Sequence, residues 1–143
     1  ERFDSVIVRA LEKVIEEPLS NLILLRTDAS DLRQIFKNKS IDRIYLNFSD
    51  PWPKDRHAKR RLTHKIFLDI YKDLLKENSE LHFKTDNKEL FEFSVLELKN
   101  YPMNVTYIER DLHNSDFKDN IMTEFEEKFS KQGNKIQKLT AKF

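Results

Sequence analysis

The sequence predicts an α/β domain with a mostly parallel sheet that finishes in an antiparallel hairpin, and three observations carry that prediction. Segments of helical periodicity alternate with short apolar or alternating runs in the order helix-strand-helix-strand-helix-strand-helix, which calls for βαβ crossovers. Acidic residues stand just past the carboxyl ends of successive strands, at Asp28, Asp50 and Asp86, and Glu1 reads as a fourth after an earlier strand. Open α/β sheets bind ligands at that rim. Finally, two late strands have no long crossover between them, which suits an antiparallel pair at one edge.

The elements follow in order. Asp4 or Ser5 can cap a helix whose Val6, Ile7, Ala10, Leu11, Val14 and Ile15 share a face, and Pro18 with Ser20-Asn21 ends it. Leu22 to Leu25 is a continuous apolar run, read as a strand buried on both faces. Ser30 or Asp31 can cap a short helix with Leu32, Ile35 and Phe36, and Ile41 to Phe48 is the next strand. Thr63 is placed to cap a helix carrying Ile66, Phe67, Ile70, Tyr71, Leu74 and Leu75. Glu80 to Thr85 alternates as a strand, and Asp86 or Asn87 caps a helix with Leu90, Phe91, Ser94, Val95 and Leu98. Val105 to Ile108 and Ile136 to Phe143 are the late strands, with a short helix bearing Met122, Phe125 and Phe129 between them.

Composition bounds the function. The 143 residues suit one domain, residues 1–143, with a real core. The absence of cysteine excludes disulfides and thiolate metal sites and points to a reducing, cytoplasmic setting. No apolar run reaches membrane-spanning length, and no signal-peptide pattern opens the chain. His57, His64, His82 and His113 lack metal-ligand spacing, so no metal is expected; His82 reads as a packed or hydrogen-bonded strand residue. No serine sits in a glycine elbow, which leaves hydrolase chemistry unsupported. The single glycine, Gly133, leaves no glycine-rich turn where backbone could approach a nucleotide. The expectation is therefore a domain that lacks its first strand and glycine loop.

The most informative run is Asn47 to Lys54. A strand ends, Asp50 follows, and Pro51-Trp52-Pro53 stiffens the turn, the prolines biasing the residues before them towards extended backbone. Trp52 offers a π-face beside the carboxylate. Lys54, Arg56, Lys59, Arg60 and Arg61 then oppose only Asp55. In a chain of net charge +1 this stretch is a focused positive patch, fit for phosphates. No helix looks built for a major groove, so RNA suits it better than duplex DNA. Carboxylates at the neighbouring rim repel phosphates and favour an uncharged nucleoside or a sulfonium. Thr123 to Glu126 is open to two readings: a capping box, or a carboxylate facing a ligand at a helix start.

Five motifs, in this order, give the chain a family resemblance. Asn47-Phe48-Ser49-Asp50-Pro51-Trp52-Pro53-Lys54, His57 with Lys59-Arg60-Arg61-Leu62, His82-Phe83-Lys84-Thr85-Asp86-Asn87, Asp111-Leu112-His113-Asn114-Ser115 and Asn120 to Glu126 resemble the bacterial tRNA (guanine-N7-)-methyltransferases. The resemblance implies a Rossmann-like class I methyltransferase sheet, S-adenosylmethionine as cofactor, and methyl transfer to N7 of a guanosine in the tRNA variable loop. It also implies cofactor contacts at Glu1, Asp28, Ala29, Asn47 and Asp50, with Asp50 at the reacting centre. Substrate contacts are implied at Lys54, Asp86, Thr123, Glu124, Phe125 and Glu126. Arg56, Lys59, Arg60 and Arg61 are the expected tRNA phosphate contacts, and the enzyme would be a monomer or homodimer.

Against that family the first strand and glycine loop are absent, so the chain by itself is expected neither to bind the cofactor nor to methylate. Two rival readings stand beside it. One is an amino-group methyltransferase, in which Asp50-Pro51-Trp52 resembles an Asn/Asp-Pro-Pro-aromatic loop; the other is a non-catalytic RNA-binding module.

Overall fold

The computed structural model describes all 143 residues. Asp4–Glu16 form helix α1, Leu32–Ile35 the single-turn α2, and Ile41–Asn47 strand β1. Helix α3 (Lys65–Leu74) leads directly into β2 (Leu75–Thr85), followed by α4 (Lys88–Asn100) and β3 (Asn104–Glu109). Helix α5 (Glu124–Ser130) precedes β4 (Gln137–Lys142). The sheet order is β1-β2-β4-β3. β1 and β2 run parallel, as the crossover through α3 demands, and β4 is antiparallel to both its neighbours. The sheet is thus mixed, and the late pair forms because β4 inserts between β2 and β3.

The core follows from helical spacing. Phe67, Ile70, Tyr71 and Leu74 on α3 and Phe91, Val95 and Leu98 on α4 are buried with Leu46, Leu81, Phe83, Leu139 and Ala141 of the sheet. Each such side chain contributes about 1.5–3 kcal/mol relative to exposure. Nothing in α1 is buried.

Several local expectations change. Leu22 to Leu25 forms no strand; Ile23 is 87% exposed. An apolar run becomes a strand only where neighbours complete its ladder. This one gains a single rung: the Thr27 N–H donates to the Glu1 carbonyl (2.9 Å), and the Glu1 amino group to the Leu25 carbonyl (3.4 Å). Helix α1 is capped by neither Asp4 nor Ser5, because both lie inside it and Phe3 stands at the N-cap. Asp4 pairs instead with Arg26. His64, not Thr63, caps α3, its Nδ1 accepting from the Ile66 N–H. Thr63 is buried against the Ser94 hydroxyl at 2.7 Å. β2 begins five residues early, since Leu75 pairs with Ile41 before a bulge that closes where Glu80 meets Arg43. Asn78 inside that bulge takes φ 61°.

Candidate active site

The register of β1 on β2 builds the rim. Asn47 lies opposite Lys84, and the Phe48 N–H donates to the Lys84 carbonyl at 2.9 Å. The loops bearing Asp50 and Asp86 therefore leave neighbouring strand ends together. Asp50 is exposed, and Asp86 accepts from the Asn134 amide at 2.9 Å. Helix α5 closes over the same end. Phe125 lies on Phe48 (ring centroids 4.6 Å) and stacks on Phe129 (4.1 Å).

The Asp50 loop is held in an uncommon shape. Phe48 (φ 53°) and Trp52 (φ 44°) bracket Asp50 with left-handed backbone, at about 1–2 kcal/mol for each L-residue. Trp52 precedes Pro53, so extended backbone was the expectation; surrounding contacts override it. The Arg61 guanidinium donates to the Pro51 carbonyl (3.1 Å) and the Trp52 carbonyl (3.0 Å), and Arg60 lies 4.8 Å over the Trp52 ring. His57 meets that ring edge-on. Arg61, expected at phosphates, is thus buried and committed within the protein. Lys54, Arg56, Lys59 and Arg60 remain exposed on and before the 3₁₀ turn Asp55–Arg60, where residues three apart share a face.

Glu126 differs from both readings of its segment. Thr123 caps α5, its hydroxyl accepting from the Glu126 N–H at 3.0 Å. The Glu126 side chain turns inward instead of back to the cap and is fully buried. It accepts from Lys84 Nζ (2.5 Å), His113 Nε2 (2.9 Å) and the Asn120 amide (2.7 Å). Burial would raise its pKa, but those three donors outweigh burial and hold it below the usual carboxylate range. Lys84 also donates to the Ile121 carbonyl and Asn120 Oδ1, so one β2 lysine fastens the segment before α5 to the sheet. Glu124 is exposed and paired with Lys13 of α1.

Glu1 and Asp28 form a second pair. Glu1 Oε1 accepts from the Arg2 and Phe3 N–H groups (2.8 and 2.9 Å), and Arg2 reaches Asp28 Oδ2 at 3.2 Å. The Ser30 N–H and hydroxyl both donate to Asp28 Oδ1, and with Arg2 they lower its pKa although partial burial opposes them. Ala29 opens the 3₁₀ turn that Asp28 caps. Beside this pair an apolar cavity of about 340 Å³ is lined by Glu1, Ile7, Leu24, Thr27, Leu32 and Phe36, among others. Two buried hydroxyls have no partner. Ser49 Oγ adjoins Asp50 in the chain. Tyr71 Oη lies near enough to Asp28 that, after burial itself, the Asp28 charge helps raise its pKa.

Sequence reading missed Lys84, Asn120 and His113 as one network with Glu126. The signal was present: a lysine between Phe83 and Thr85 in a buried strand needs a carboxylate partner. His82 stacks on Tyr45 and bonds Glu80, as a hydrogen-bonded strand residue should.

A family model described as "Putative methyltransferase" matches residues 1–139. Among solved structures, the chain is similar to a SAM-dependent methyltransferase from Aquifex aeolicus (TM-score 0.62, 14% identity), covering 99% of this chain and 65% of that one. It is also similar to a SAM-dependent methyltransferase from Archaeoglobus fulgidus (TM-score 0.51, 13% identity, 92% of this chain and 72% of that one). A SAM-dependent O-methyltransferase from Thermotoga maritima matches at TM-score 0.56 and 13% identity, over 99% of this chain and 47% of that one. The likeness establishes the fold as the α/β sheet of these enzymes. The chain spans about two thirds or less of the Aquifex and Thermotoga structures.

Proposed function

The chain belongs to the family described as "Putative methyltransferase", and from that premise we propose that it forms part of a tRNA (guanine-N7-)-methyltransferase. The observation that carries this reading is the common exit of the Asp50 and Asp86 loops from adjacent strand ends, beside the exposed cations Lys54 to Arg60. An acidic rim thus borders a run of exposed cations suited to phosphates.

The residues suit S-adenosylmethionine. Glu1 and Asp28 offer two carboxylates that ribose hydroxyls and an adenine amino group can engage, with apolar surface behind them and the Tyr71 hydroxyl still unpartnered. Asn47, Ala29 and Asp50 would complete the cofactor contacts. When bound, that cofactor supplies an electrophilic methyl on a sulfonium. Guanine N7 has a lone pair and no proton, so no general base is needed, and alignment with electrostatic control is the protein's task. In this reading the Asp50 carboxylate stabilises positive charge as it develops on the guanine ring. Asp86 and the α5 start, Thr123 to Phe125, orient the base. Glu126 acts from within, holding α5 on the sheet, while Arg56, Lys59 and Arg60 grip the phosphates.

The test uses full-length protein with tRNA and S-adenosylmethionine. Borohydride reduction followed by aniline should cleave the product tRNA at one variable-loop guanosine. Methyl incorporation without such cleavage would move the reading to an exocyclic amino group. RNA binding with no incorporation would leave a non-catalytic module.

A further inference from the structure

We propose that Arg61 is a positioning residue: its buried guanidinium, braced on Phe93 and bonded to the Pro51 and Trp52 carbonyls, fixes the loop that carries Asp50. Among the five cations of Lys54 to Arg61, it alone is buried, at 8% exposure. Its Nε reaches the Pro51 carbonyl (3.1 Å) and the Trp52 carbonyl (3.3 Å), and Nη2 reaches the Trp52 carbonyl again at 3.0 Å. The guanidinium carbon lies 4.4 Å from the centre of the Phe93 ring on α4. A planar fork holds two neighbouring carbonyls in one fixed plane while its own face lies on an aromatic ring, a geometry that the point charge of a lysine does not reproduce. Those carbonyls belong to a turn whose central residue, Trp52, has left-handed backbone before a proline. A loop of that shape persists only where its surroundings over-determine it. Arg61 supplies the tie from inside, and Arg60 covers the Trp52 ring from outside. One cationic stretch is thereby divided between two tasks: Arg61 shapes the turn, and its exposed neighbours face solvent.

This inference rests on Asp50 being the reacting-centre carboxylate, but the loop itself has an independent reporter. Trp52 is the only tryptophan in these 143 residues, so with any tryptophan elsewhere in the full-length protein replaced by phenylalanine, intrinsic fluorescence reads this turn alone. In full-length protein, Arg61→Lys and Phe93→Leu should each raise acrylamide quenching of Trp52 about twofold as the turn opens locally. Exposed Arg56→Gln should leave it unchanged. Phe93→Leu removes no charge, so it separates loss of the brace from loss of a cation should Arg61→Lys fold poorly. In the methyl-transfer assay both variants should lose about twentyfold in kcat from misplacement of Asp50. Arg61→Gln should bind tRNA with an unaltered salt slope. Unchanged quenching in both Arg61→Lys and Phe93→Leu would overturn the proposal. So would a salt slope lower by about one in Arg61→Gln, which is the mark of a phosphate contact. If unsubstituted protein transfers no methyl, the functional reading fails while the quenching result still decides the role of Arg61.

Discussion

Under the proposed function, Asp50 carries the chemistry while standing open to solvent. It is exposed, it follows β1 by three residues, and left-handed backbone at Phe48 and Trp52 flanks it. If the proposed function holds, replacing it should remove methyl transfer and leave RNA binding, assigned there to the neighbouring cations, in place. Asp50→Ala in full-length protein should lower the methylation rate about a hundredfold while changing tRNA affinity little, measured by single-turnover kinetics beside a binding titration. Equal losses in both would place Asp50 among the RNA contacts. Much at this scale was legible: Asp50 and Asp86 past their strand ends, the Asn87 cap accepting from the Leu90 N–H, and the exposed Lys54, Arg56 and Lys59; Asp28, by contrast, follows no strand. The inward turn of Arg61 was not. Which arginine of three consecutive cations is buried depends on Phe93, more than thirty positions away, and local sequence does not record that contact. Nor could sequence reveal the Trp52 backbone, where tertiary bonds defeat the preference that a following proline imposes.

Between elements, the decisive joint is Lys84 of β2 with Glu126 of α5. Both are buried, so removing one partner leaves the other charge out of water. Glu126→Gln should destabilise the protein by about 3 kcal/mol at neutral pH, read from urea unfolding. The pH dependence has a definite sign. Hydrogen bonds depress the folded pKa of Glu126, so its stabilisation is present above the unfolded carboxylate pKa of about 4.3 and is lost as pH falls through the lower folded value. The gap between Glu126→Gln and unsubstituted protein should therefore hold steady above about pH 5 and narrow below about pH 4. A gap that widens in acid would mean that the folded protein raises the pKa of Glu126 instead of lowering it. Helix and strand types were readable from periodicity at this scale, whereas strand order was not. Alternation marks Ile136 to Phe143 as a strand but does not say that β4 lies between β2 and β3. The run Leu22 to Leu25 failed for a related reason: apolarity states a need for neighbours and cannot provide them.

Over the whole molecule, cohesion is uneven. The core lies between Leu46 and Ala141, while the first 36 residues carry exposed Val8, Leu11, Ile15, Leu19, Ile23 and Phe36 and have no buried side chain. Amide exchange should follow that division. Protection in β2 and β4 should match global unfolding, and α1 should open at several kcal/mol less. Equal protection in α1 would show that its apolar face is covered in solution.

The central place of β4 also has a consequence in time. β2 and β3 are both translated before it, and each leaves a hydrogen-bonding edge that only residues 137–142 satisfy. On the ribosome the nascent chain must carry those open edges until residues 137–142 emerge. A stalled or prematurely terminated product would expose two sticky strands and need chaperone shelter.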